Sequence, residues 1–450
     1  MKLNRTAKSK DNFEKHMSGK PLSAVVANAL PAIIAMLMVL IYNLADTFFI
    51  GQTHDDLQVA AVSLATPAFL LFMAVGNIFG IGGTAVISRS IGEKDFDYAK
   101  KICSFCMWCC VIFGVLMSAV FLIFMDPILK LLGASSDTWE FTKTYLMIVS
   151  LCGPFSLIAN CFSNILRAEG QVTKAMVGQV AGNLLNVILD PIMILSFKWN
   201  IAGAAIATVI GNIAAAVYYI MFYMRGESTL SISPKYFSIK KKISYSVLVI
   251  GIPASLASLL MSISQIIMNS LMASYSDMAL AGIGVAMKAT MITGMISLGL
   301  GQGMQPLFGY CIGAKREDKY KQFFRISVIL SFAVSLFMTA ICFIFTRPIV
   351  SAFLTDSESM AYGIKFVRIL LSTSALIGLY FIIINALQAR GLATPSLIVN
   401  LSRQGLIYIP VLFMLNYLAG VYGLVWAQPV TDVTSTILAV FLYTRAASAK

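Results

Sequence analysis

Three carboxylates stand in stretches otherwise dominated by apolar residues: Asp46, Asp190 and Asp432. Inside a lipid bilayer an acid costs roughly 2.5 to 3.5 kcal/mol on insertion scales, so it faces a cavity or a partner and marks function. Asp190 ends a polar series, Gln179, Asn183, Asn186 and Asp190, whose spacings of 4, 3 and 4 put all four on one helical face. A polar stripe on an apolar helix is expected to line a cavity. Pro191 follows at once and frees the carbonyl of Val187 one turn back as a further oxygen ligand. Asn43 stands one turn from Asp46 in the same way. Counting about 1.5 Å per residue from the helix ends, Asp46, Asp190 and Thr208 fall at one level, roughly 6 to 11 Å below the surface, with Tyr145 within reach. Two carboxylates at one level exchange protons as a coupled pair. Joining helices by hydrogen bonds is the plainer use of such groups, but paired acids exceed what helix cohesion needs.

The remaining intramembrane charges are Asp432, Arg403, Lys288 and Arg368. Asp432 and Arg403 come out at similar depth, so a structural or gating ion pair is expected, with Lys288 as the other available cation. Arg368 lies near a helix end and is expected to snorkel.

The elements that hold these residues follow from composition. Of 450 residues 58% are hydrophobic and 12% charged, about half the charged share of a soluble chain. Only helices or closed barrels satisfy their backbone in hydrocarbon, and the apolar runs here have helix length without strand alternation. Twelve spans result, the first at 24–50 and the last at 420–444. No removable signal peptide is read in the first 20 residues. With the N-terminus inside, 25 of the 33 Lys and Arg fall in inside segments and five in outside loops, so both termini are expected to be cytoplasmic. Basic loops beside an anionic leaflet account for the +13 charge, and no nucleic acid is called for. Cys103, Cys106, Cys109 and Cys110 cluster in an apolar span away from His16 and His54, so they read as packing; no metal, cofactor or disulfide framework is expected.

The chain resembles itself at an offset of about 221. LPAIIA with Pro31 answers IPASLA with Pro253; SIGEK with Gly92 and Lys94 answers CIGAK with Gly313 and Lys315; NILRAEG answers NALQARG. The expected organisation is a tail at 1–20, a six-helix bundle at 21–224, a linker at 225–242, a second bundle at 243–445 and a tail at 446–450. Six helices per repeat relate the halves by a pseudo-two-fold along the membrane normal. The fold class is therefore all-α integral membrane: twelve transmembrane helices in two pseudo-symmetric bundles around a central cavity, the architecture of a transporter.

LPAIIAMLMVLIYNLADTFFIGQ at 30–52, GNIFGIGGTAVISRSIG at 76–92, ILRAEGQVTKAMVGQVAGNLLNVILDPIMIL at 165–195 and AGAAIATVIGN at 202–212 together resemble the multidrug and toxic compound extrusion (MATE) transporters, and within them the MepA-like branch. The resemblance implies exchange of organic cations or amphipathic drugs for H⁺ or Na⁺. It further implies an ion site of Asp46, Asn186, Asp190 and Thr208 with Tyr145 nearby. Another branch uses acids on the seventh and tenth helices, where this chain offers Gln265, Asn269 and Asn385 instead. The expected protein is a plasma-membrane antiporter, monomeric, meeting small organic cations and membrane lipid, with H⁺ as coupling ion and Na⁺ as the alternative. Asn43, Tyr145, Gln179 and Asn183 would line its cavity. Flipping of lipid-linked saccharides would favour a more basic cavity, and an enzyme would need a catalytic constellation that is not found in the sequence.

Overall fold

A computed structural model of the chain describes residues 13–14, 17–53, 55–226 and 228–448. The tail expected at 1–20 lies largely outside these, as do His16, His54 and the last two residues of the tail expected at 446–450. The first half runs α1 (Pro21–Gly51), α2 (Asp56–Gly92), α3 (Phe96–Ile123), α4 (Trp139–Leu151 and Gly153–Ala168), α5 (Val172–Asp190 with Pro191–Ser196) and α6 (Asn200–Met224). The second runs α7 (Lys241–Ala273), α8 (Asp277–Gly313), α9 (Glu317–Ile344) and α10 (Ser357–Leu371 and Ser374–Ala389). Then comes one apolar stretch, Ala393–Ala446, of 54 residues. At about 1.5 Å per residue it is far longer than a bilayer is thick. It breaks at Gly420 (φ 58°, ψ −138°), giving α11 (393–419) and α12 (421–448) and the twelfth crossing.

The repeat is written in the backbone. α2 and α8, and α3 and α9, share their bounds at an offset of 221. α4 bends by 59° at Cys152 and its mate α10 by 43° at Ser372 and Thr373. Even the exceptional dihedrals recur: Lys94 (φ 62°) with Lys315 (φ 55°), and Gly170 (φ 79°) with Gly391 (φ 71°). The glycines sit where a helix must end on a left-handed residue.

Packing divides the chain differently from the repeat. One compact unit holds Leu37–Ser255 with Gly313–Lys315; the other holds Gly19–Met36, Leu256–Ile312 and the chain from Arg316 onward. α1 and α7, which the expected bundles at 21–224 and 243–445 keep whole, are each shared between units. The reason is close backbone approach. A Cβ on Gly82 of α2 would collide with the Val247 carbonyl of α7, and a Cβ on Gly303 of α8, the repeat mate of Gly82, would meet the Asn28 carbonyl of α1 at 2.5 Å. Small residues let helices pack this tightly in membranes.

The segment read as a linker is tied down along the first unit. Glu169, buried after α4, accepts from Ser228 Oγ at 2.7 Å and Thr229 N at 2.6 Å. Further on, Ser104 Oγ and Trp108 Nε1 of α3 donate to the carbonyls of Ser233 and Ile232 at 2.8 and 3.2 Å.

Candidate functional site

Asp190 is the last residue of regular α-helix in α5. Beyond it Pro191 contributes no N–H, and the chain continues as a π turn, Pro191–Ser196. Widened turns of this kind recur at functional positions. Asp190 is fully buried and neither of its oxygens has a hydrogen-bond partner among the described residues. Asp46 Oδ1 and Asn186 Oδ1 are buried without a partner in the same way. Four acceptor oxygens, from α1 and α5, thus lack a donor.

The geometry around them is compact. Asn186 Nδ2 donates to Thr208 Oγ1 at 3.2 Å, linking α5 to α6, and both residues are buried. Gly182 and Gly211 allow this: a Cβ on either would stand 2.6 Å from the other's carbonyl oxygen. Asp46 and Asp190 lie close enough to repel, and Tyr42 and Tyr145 are within electrostatic reach of both. Asp46, Asn186, Asp190, Thr208 and Tyr145 therefore do come together, all within the first unit.

Next to them lies a cavity of about 70 Å³. Gln179 and Asn183 of the expected stripe line it, and Asn183 Nδ2 has no hydrogen-bond partner among the described residues. Tyr42, Phe69, Met73, Asn160, Asn212 and Tyr219 also line it, so amides, rings and a thioether share the wall with small and aliphatic residues. Of these the sequence reading singled out none as site residues. Two signals were present: Tyr42 stands one turn before Asp46, and Asn212 one turn after Thr208. Asn160 gave no such signal; its Nδ2 donates to the Met73 carbonyl at 3.0 Å. Asn43 does not line the cavity. Its Nδ2 turns back onto the Val39 carbonyl at 2.8 Å, satisfying its own helix. Tyr145 is buried beside the acids rather than on the cavity wall.

In the second unit Arg403 Nε meets Asp432 Oδ1 at 2.8 Å. Gln428 Nε2 donates to the same oxygen at 2.9 Å and Thr373 Oγ1 to the other at 3.4 Å. The Arg403 guanidinium also lies over the rings of Tyr380 and Phe381, at 5.0 and 5.8 Å. Lys288 is not brought to Asp432. It is exposed, its ammonium 5.6 Å from the centre of the Phe353 ring. Arg368 is likewise exposed, over Phe343 at 5.4 Å.

The MatE family profile matches the chain twice, over residues 31–192 and 253–414, two stretches that together exceed half its length and stand 222 residues apart. The chain belongs to the MATE family. Among curated proteins, the Multidrug export protein MepA of Staphylococcus aureus strain MSSA476 is 32% identical over 421 residues, 93% of this chain and 92% of that protein. The MepA of Staphylococcus saprophyticus is 30% identical over 416 residues. Among solved structures, an outward-facing multidrug resistance MATE family transporter of the MOP superfamily superimposes with a TM-score of 0.91 at 23% identity, covering 96% of this chain and 97% of its own. A mutant of the Vibrio cholerae MATE transporter VcmN gives 0.88 at the same identity, with 96% and 99% covered. The MATE fold, twelve membrane helices in two bundles, is thereby shared.

Proposed function

We propose that this MATE-family protein is a secondary active antiporter. It exports cationic and amphipathic organic compounds across the plasma membrane, both termini cytoplasmic, in exchange for inward-moving H⁺, with Na⁺ the alternative coupling ion. The observation that carries the reading is the set of four buried oxygens without donors on Asp46, Asn186 and Asp190, next to a cavity walled by amides and aromatic rings. Identity to proteins named for multidrug export supports the cargo class.

The mechanism follows from charge. Ionised Asp190 and Asp46 attract a lipophilic cation, which the rings of the cavity wall accommodate through cation–π contact. A proton, or Na⁺ held by the same oxygens, neutralises them and removes that attraction, so cargo and coupling ion exclude one another. Entry of one charge down the membrane potential supplies about 2.3 kcal/mol per 100 mV, enough for a concentration ratio of several tens at full coupling.

The test is ethidium transport in proteoliposomes under an imposed pH gradient and, separately, an imposed Na⁺ gradient. Asp190→Asn and Asp46→Asn are each expected to cut gradient-driven uptake by about tenfold or more, the loss of one charge-assisted contact. Undiminished transport in both variants would sink the coupling site, and whichever gradient drives the wild type names the ion.

A further inference from the structure

At the starts of α3 and α9 basic residues are interleaved with acids, and pairs form: Lys101 with Asp97, and Arg316 with Asp318 at 3.5 Å. The start of α7 is built otherwise. Lys240, Lys241 and Lys242 are consecutive and exposed, Lys235 ahead of them is exposed too, and no Asp or Glu occurs anywhere from 228 to 276. None of the four lysines makes an ion pair among the described residues. The repeat does not call for them either, since at the 221-residue offset 240–242 answer Gly19, Lys20 and Pro21.

These charges stand on a braced platform within the first unit. Tyr98 of α3 donates its hydroxyl to the Lys242 carbonyl at 3.3 Å and meets Ser246 Oγ at 3.2 Å, while the Lys242 ammonium lies 5.3 Å over the Tyr98 ring. Just before them Phe237 stacks on Phe105 at 6.4 Å. Apolar side chains flank the lysines: Ile239 is 69% exposed and Tyr245 64%. Tyr245 follows Lys241 by four residues and Lys242 by three, which puts the ring and both charges on one helical face. α7 has 33 residues, about 50 Å, slightly more than the roughly 40–45 Å of a bilayer with its headgroups, so its first turn stands at headgroup level. There ammonium groups meet phosphate, and an aromatic and an aliphatic side chain beside them meet acyl chains. A soluble anion would satisfy the ammoniums and leave Ile239 and Tyr245 in water.

We propose that the end of the linker and the first turn of α7 form a binding site for an anionic phospholipid. Lys240, Lys241 and Lys242 take its phosphate, and Ile239 and Tyr245 lie against its acyl chains. The site does not depend on the export reading.

The test follows thermal unfolding of the full-length protein in a neutral detergent as phosphatidylglycerol, phosphatidylcholine or inorganic phosphate is added. Phosphatidylglycerol is expected to raise the Tm of the wild type, phosphatidylcholine much less and inorganic phosphate not at all. In the triple variant Lys240→Gln, Lys241→Gln and Lys242→Gln, the phosphatidylglycerol concentration that gives half the shift should rise about tenfold or more. A variant losing as much charge elsewhere, Lys315→Gln with Lys319→Gln and Lys321→Gln, should stay within about twofold of the wild type. Equal weakening in both triple variants would reduce the effect to net charge. A shift produced by phosphate alone would make this a site for a soluble anion, and an unchanged midpoint in the α7 variant, or no shift in the wild type, would leave the lysines a solvated face. Each of these outcomes overturns the proposal.

Discussion

A buried charge is held in a membrane by what surrounds it, and the two acids that differ most here are Asp190 and Asp432. Asp190 has no hydrogen-bond partner among the described residues, whereas Asp432 has Arg403, Gln428 and Thr373. Their removal should therefore read out differently. Asp432→Asn leaves a guanidinium without its counter-charge, and breaking a buried pair in this way costs about 3 to 5 kcal/mol, whereas replacing both partners by apolar residues of similar volume is close to neutral. Thermal unfolding in detergent should show a large drop in Tm for Asp432→Asn and recovery in Arg403→Met with Asp432→Leu. A single variant as stable as wild type would mean that the pair holds nothing. Helix rise gives Asp46, Asp190 and Thr208 one expected level, because depth is linear in sequence. Which way a side chain turns at that depth is not. Asn43, one turn from Asp46, satisfies its own helix, and Lys288, at the right depth for Asp432, is exposed over Phe353.

At the scale of the element, the site depends on how closely α5 and α6 approach. Gly182 and Gly211 bring the two backbones together, and one turn along the same seam Asn186 reaches Thr208 at 3.2 Å. A methyl group on Gly211 would stand 2.6 Å from the Gly182 carbonyl, backbone that can yield only by moving a whole helix. Overpacking of this kind costs about 1 to 3 kcal/mol. Gly211→Ala is expected to lower Tm accordingly and to weaken ethidium transport, because the Asn186 to Thr208 bond must lengthen as the helices part. Normal stability with normal transport would show that α5 and α6 have slack. The repeat was readable because it rides on local backbone exceptions: Pro31 with Pro253, Lys94 with Lys315, Gly170 with Gly391. The sharing of α1 and α7 between units was not, since it turns on which carbonyl each glycine of α2 and α8 faces. That is a tertiary fact without a sequence period.

For the whole molecule, the halves repeat a backbone but divide the chemistry. The first gathers the donor-less oxygens of Asp46, Asn186 and Asp190, the second pairs Asp432 with Arg403, and a 221-residue offset relates helices whose polar content has diverged. This asymmetric pair can be set in the bilayer in either of two orientations. Charge settles that setting in the nascent chain: Lys and Arg resist translocation, and 25 of the 33 lie in the segments assigned to one side. Two exposed positions report on opposite sides, Ser136 ahead of α4 and Lys240 ahead of α7. The eight native cysteines are all buried, so a cysteine placed at either position should dominate labelling. With a membrane-impermeant maleimide on intact cells, Ser136→Cys is expected to label at once and Lys240→Cys only after permeabilisation. The reverse pattern would put the basic loops outside.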